Sequence, residues 1–126
     1  MKISLTTLIF LFLISACSQK DESYLLISSG CFWNVQSFFQ ESDLVTDTLC
    51  AYTGGTSSHP TYENARKDGH VEVVKVSFQK EHYLDVLKYF FEHHPTKRIK
   101  AKNEMFGKMF RGRVFYKNIQ EKILLE

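Results

Sequence analysis

The sequence predicts an α/β fold of the α+β kind: a small mixed sheet with helices packed on it, forming a single two-layer, sandwich-like domain. A length of 126 residues suits one domain. Extended and helical patterns follow one another in the order strand, helix, strand, loop, strand, helix. Each helical stretch carries one apolar face, and that face needs a sheet to cover.

Tyr24-Leu25-Leu26-Ile27-Ser28 reads as a short buried strand that ends at Gly30. Phe32, Val35, Phe38 and Phe39 then fall at near-helical spacing, with Asn34, Gln36 and Gln40 between them. This predicts an amphipathic helix of about three turns. It stops near Glu41-Ser42-Asp43, and Val45 to Tyr52 reads as a second strand. Thr53 to Pro60 is a loop, rich in residues that permit tight turns. His70 to Phe78 carries the strongest strand signal, although Val73-Val74 interrupts strict alternation. Tyr83, Val86, Leu87, Phe90 and Phe91 define a second helix, ended by His94-Pro95. Further on, Val114-Phe115-Tyr116 reads as a last strand and Ile119 to Leu125 as a terminal helical turn.

The first residues are expected to lie outside this domain. Lys2 precedes an apolar stretch from Leu5 to Ile14, followed by Ser15 and Ala16. That is the layout of a secretory signal, and the apolar run is short for a membrane span. Leu13-Ile14-Ser15-Ala16-Cys17 resembles a bacterial lipoprotein cleavage box. The reading is therefore a signal peptide over residues 1–16, a lipidated Cys17, a polar tether over 17–23 and a domain over 24–126. It implies an exported lipoprotein anchored to a membrane of the cell envelope. An ordinary signal peptide and a retained N-terminal helix are the alternatives.

The net charge of +2 decides nothing about partners. Lys97, Arg98, Lys100, Lys102, Lys108, Arg111, Arg113 and Lys117 face only Glu104 among acids, so one segment is strongly basic. No nucleic-acid module accompanies it, and a solvated face without a nucleic-acid partner is the better reading. With 3 cysteines, one of them assigned to lipid, the chain lacks a disulfide framework. Cys31 and Cys50 are left to pair with each other or to remain thiols.

Cys31 falls where a strand ends and a helix begins. Helix starts offer unpaired N–H groups and the positive end of the helix dipole. Both favour the thiolate, which is the nucleophilic form. Gly30 lets the backbone approach closely, and Phe32 and Trp33 can wall an apolar pocket beside the sulfur. A buried small hydrophobe is an equally open reading of this context.

Further motifs bear on that choice. Gly30-Cys31-Phe32-Trp33 matches the signature of the A-type peptide methionine sulfoxide reductases. Ala51-Tyr52-Thr53-Gly54-Gly55 resembles their G-Y-x-G-G loop, and Pro60-Thr61-Tyr62-Glu63 their N-P-T-Y segment. Gly69-His70-Val71-Glu72-Val73-Val74 resembles their G-H-A-E-V-V strand. The order and the approximate separations agree, from about Ile27 to Thr96.

The resemblance implies a reduction of methionine S-sulfoxide in proteins or peptides, with no bound cofactor, no metal and an external thiol reductant, thioredoxin-like or other. Cys31 would attack the sulfoxide sulfur while the methyl group sits between Phe32 and Trp33. Glu72 matches the family's acid, and a carboxyl buried against aromatics can hold its proton toward neutral pH. Tyr62 matches a tyrosine that hydrogen-bonds the sulfoxide oxygen, and Tyr52 helps shape the pocket. Cys31 would end as a sulfenic acid that thiols reduce. Read without the resemblance, the alternatives are a solvent-facing strand residue for Glu72 and a packing aromatic for Tyr62; an acyl-transfer site with His70 as base for Cys31 lacks a third member and an oxyanion hole.

The chain departs from the family beyond His93. His94 replaces an aspartate, Phe110 stands at a tyrosine and Met109 at a glutamine, and Glu104 takes the place of an aspartate in substrate binding. No cysteine follows Cys50. These departures motivate an alternative: a non-catalytic relative that binds methionine-containing or oxidised peptides.

Overall fold

The computed structural model describes residues 21–93 and 112–125. Strand β1 (Glu22–Ser28) leads into helix α1 (Phe32–Gln40), and strand β2 (Val45–Thr53) follows. After a long loop come strand β3 (Val71–Gln79), a 3-10 turn (Lys80–His82) and helix α2 (Tyr83–His93). Strand β4 (Arg113–Phe115) and helix α3 (Ile119–Leu125) complete the described chain. Among the described residues no helix is long and apolar enough to cross a membrane.

The four strands form one sheet in the order β2-β3-β1-β4. The layered α/β class holds, but the expected mixed sheet is antiparallel at every described pairing. The reason is topological. The crossover through α1 carries the chain from β1 to β2 with a gap between them, and β3 fills the gap. The passage from β3 to β4 likewise skips β1. Parallel strands are thus never neighbours, as in a split β-α-β arrangement. A second correction concerns the tether. Glu22 and Ser23 belong to β1, where they pair with Gln79 and Phe78. Residues 1–20, with Cys17, lie outside the described residues, as do Glu104, His94, Met109 and Phe110.

Side-chain alternation explains the core. Leu25 and Ile27 of β1 oppose Val76 and Val74 of β3, and all four are fully buried. Phe32, Val35 and Phe39 of α1 and Val86, Leu87 and Phe90 of α2 join the same cluster. Val71 and Val73, on the other parity of β3, are buried as well, which is why Val73-Val74 interrupts the alternation. They point to the opposite face, and β3, paired on both edges, is covered on both sides along that stretch. The two helices meet through rings, with Phe38 stacked on Tyr89 at 4.7 Å and Phe39 on Phe90 at 6.2 Å.

Phe39 has no exposed surface and touches rings of both helices. Phe39→Ala is expected to cost about 3–5 kcal/mol, seen as a large drop in the denaturation midpoint. Leu84→Ala, on the exposed face of α2, is expected to change stability by less than about 0.5 kcal/mol.

Candidate active site

The strand–helix junction is built as a turn and a bare helix start. Gly30 adopts φ +89°, a conformation that L residues rarely enter, and nothing crowds it. Cys31 follows in an extended conformation as the N-cap of α1. Its carbonyl accepts the N–H groups of Asn34 and Val35 at 3.1 and 3.3 Å. The thiol makes no capping hydrogen bond, and the residue is half-buried. The nucleophile candidate therefore stands at the opening of the helix with its side chain free of capping duty.

Capping is supplied from the sheet instead. The N–H of Phe32 donates to Oε2 of Glu72 at 2.9 Å, across 40 residues of sequence. Glu72 is buried, which corrects the bland reading of a solvent-facing strand residue. One oxygen is committed to the helix start, and Oε1 has no hydrogen-bond partner among the described residues. The arrangement fixes a carboxyl beside the residue that follows Cys31.

Aromatic rings surround this contact. Tyr52 lies directly opposite Glu72 in the β2–β3 ladder, so both side chains leave the sheet on the side of α1. The Phe32 ring packs on Tyr52 at 5.4 Å and on Trp33 at 5.5 Å. Trp33 in turn stacks on Tyr62 at 5.9 Å, nearly parallel. Phe32 is buried, whereas Trp33 and Tyr62 are 59% and 63% exposed, so they form a rim above a buried floor. Burial first, and then the charge of Glu72, raise the pKa of the Tyr52 phenol, which keeps it protonated as a donor.

The loop between β2 and β3 holds Tyr62 by local hydrogen bonds. Thr61 N–H donates to Asn64 Oδ1 at 2.7 Å, and Asn64 N–H returns to Thr61 Oγ1 at 3.4 Å. Ala65 N–H donates to the Thr61 carbonyl, and His70 N–H to the Ala65 carbonyl, each at 2.9 Å. His70 is no base for Cys31. Its Nδ1 accepts the Gly55 N–H at 3.1 Å, and its Nε2 meets the Ser57 hydroxyl at 3.0 Å and the Ser57 carbonyl at 3.1 Å. An Nδ1 acceptor and a carbonyl at Nε2 select the tautomer with its proton on Nε2. Any Cβ at Gly55 would overlap the imidazole, so glycine and histidine are fitted to each other. This clamp was not legible as such. The pairing of glycines with a distant histidine carries no spacing rule, whereas the Thr61-x-x-Asn64 spacing was a readable turn signal.

Cys50 sits two residues before Tyr52 on the same face of β2. Its thiol donates to Gln36 Oε1 at 3.4 Å, and Gln36 Nε2 donates to the Thr48 carbonyl at 3.2 Å. Gln36, read only as a polar spacer, ties α1 to β2. Cys31 and Cys50 are both free thiols. Burial, followed by the charges of Glu72 and Cys31, pushes the Cys50 thiol up. Among the described residues no cluster of His, Cys, Asp or Glu could hold a metal ion. The sequence-derived set thus divides: Cys31, Phe32, Trp33, Tyr52, Tyr62 and Glu72 converge, and Glu104 lies outside the described residues.

Because burial raises the Cys50 thiol, this residue makes stability depend on pH. Its contribution to stability is present below the thiol's unfolded-state value and is lost as pH rises through the higher folded-state value. Only the thiolate alkylates. In a Cys31→Ser protein, iodoacetamide labelling of Cys50 is expected to set in at higher pH in the folded state than after denaturation.

Comparison with known proteins agrees with this geometry. The family model described as peptide methionine sulfoxide reductase matches residues 23–126. The peptide methionine sulfoxide reductase MsrA of Nocardia farcinica is 33% identical over 109 residues, which is 84% of this chain and 62% of that protein. The protein of the same name from Campylobacter jejuni is 33% identical over 105 residues, covering 81% of this chain and 63% of its own length. This chain therefore spans less than two thirds of these relatives. Among solved structures, methionine sulfoxide reductase A of Corynebacterium diphtheriae superposes with a TM-score of 0.62 at 25% identity, over 82% of this chain and 50% of that one. Mxr1 from Saccharomyces cerevisiae shares the fold, with a TM-score of 0.66 at 19% identity over 83% of this chain and 60% of that one. A match that runs from β1 to the C-terminal residue, on a site whose cysteine, carboxyl and rings converge, places the chain in the peptide methionine sulfoxide reductase family.

Proposed function

We propose that the protein reduces methionine S-sulfoxide in peptides or proteins, with Cys31 as nucleophile, Glu72 as proton donor and an external thiol as the source of electrons. The observation that carries this reading is the hydrogen bond from Phe32 N–H to Glu72. It fixes an acid one residue from the sulfur.

The chemistry requires that proximity. A sulfoxide oxygen leaves poorly unless it is protonated, so attack on sulfur needs a proton close by. The Cys31 thiolate forms a bond to the methionine sulfur as Glu72 delivers a proton to the oxygen, with Tyr62 donating to the same atom. The protonated oxygen takes up a second proton and departs as water, leaving the methionine sulfur bonded to Cys31 as a sulfonium. Water then attacks the Cys31 sulfur and returns that proton; the S–S bond breaks, its electron pair leaves with methionine, and Cys31 is left as a sulfenic acid. One external thiol condenses with it to release water and form a mixed disulfide. A second thiol frees Cys31 again. The buried Phe32 and the half-exposed Trp33 offer the methyl group an apolar seat at the rim.

Both sulfoxide epimers offered with dithiothreitol provide the test. Turnover of the S epimer alone is expected, with activity abolished in Cys31→Ser. Glu72→Gln is expected to lower kcat by about 10²–10⁴-fold. A folded wild-type protein that binds sulfoxide peptides without turnover would instead support a binding relative.

The N-terminal sequence supports a second part of the proposal, that the protein is exported and tethered to a membrane by lipid on Cys17. One acyl chain binds membranes only marginally, and stable anchoring takes more than one such signal. Cys17→Ser is expected to move the expressed protein from the membrane fraction to the soluble fraction. Unchanged fractionation would reject the anchor.

A further inference from the structure

We propose that the Tyr52 hydroxyl is a further hydrogen-bond donor to the sulfoxide oxygen, which makes Tyr52 a catalytic residue and not only a wall of the pocket. This rests on the reaction proposed above.

The Tyr52 hydroxyl is buried and has no hydrogen-bond partner among the described residues. Buried hydroxyls left unpaired are costly, and they are scarce for that reason. A phenylalanine at this position would keep the ring contact with Phe32 and remove the cost. The hydroxyl therefore calls for an explanation outside packing, and its position offers one. Tyr52 stands directly across the ladder from Glu72. The same carboxyl caps the residue after Cys31. Tyr52, Glu72 and Cys31 thus all adjoin Phe32.

Other unpaired buried hydroxyls do not share this setting. The Tyr83 ring packs against Phe78 at the far end of β3, and Ser28 lies where β1 meets Arg113 of β4. Ser28 alternates with Ile27, which faces the same side as Val74 and Glu72, so its side chain leaves the opposite face of the sheet, and Phe78 stands at the end of β3 away from Glu72. The burial of the Tyr52 phenol agrees, since it is the main cause that keeps the group protonated as a donor. A donor kept dry and unpaired has no other partner to give up when negative charge grows on the oxygen. The hydroxyl is closed off in the resting structure, so binding of the substrate must uncover it.

Tyr52→Phe separates this role from packing. Relative to wild type, kcat/KM for the S-sulfoxide is expected to fall about 10²-fold, with a melting temperature equal to or above that of wild type. In a Cys31→Ser background, the same change is expected to weaken binding of an S-sulfoxide peptide while leaving its methionine counterpart unaffected. A kcat/KM within about twofold of wild type would overturn the proposal, because loss of a working oxyanion donor costs far more. So would a parallel loss of affinity for both peptides, or a lowered melting temperature that accounts for the loss. Absence of turnover in the wild-type protein would defeat the reductase reading itself, a result distinct from any of these.

Discussion

A single hydrogen bond, Phe32 N–H to Glu72 Oε2 at 2.9 Å, is the constraint on which the site depends. It joins the first helical residue of α1 to a buried position on the central strand. The helix start needs acceptors for its free N–H groups, and a buried carboxyl needs donors. Each group satisfies the other, and the partnership leaves Cys31 at the helix mouth with no capping role. Structural satisfaction and chemical placement are here one contact.

The sheet register carries the same logic outward. Because Tyr52 opposes Glu72 and Cys50 opposes Val74, the α1 side of β2 and β3 presents a polar end and an apolar end. Toward the β2–β3 loop lie the carboxyl, the phenol and the aromatic rim. Toward the chain reversals lie Val74, Val76 and Phe78, sealed by both helices. α1 lies along this face, with Phe32 over Tyr52 and Gln36 over Cys50. The clamp of His70 on Gly55 and Ser57 then holds the loop that presents Tyr62.

Much of this was legible in the sequence, for identifiable reasons. Phe32, Val35 and Phe39 recur at the helical period, and all three are buried in α1. Cys31 was placed at a strand–helix junction because Gly30 and the change of period mark it. The hand of the sheet was not legible, because a strand–helix–strand pattern does not say whether a neighbour will be inserted between the strands. The Glu72 cap was hidden for a related reason. A glutamate amid valines reads as the exposed side of a strand unless β3 is known to be central and buried on both faces. His70 and Tyr52 needed three dimensions outright, since nothing local marks an imidazole as a loop clamp or a phenol as unpaired.

The distance along the chain between Phe32 and Glu72 also bears on how the protein comes into being. Contacts across a separation of 40 residues form only after the intervening loop has closed and the strands have paired. A nascent or partly unfolded chain therefore carries Cys31 with no carboxyl fixed beside the residue that follows it. The site is a property of the finished fold.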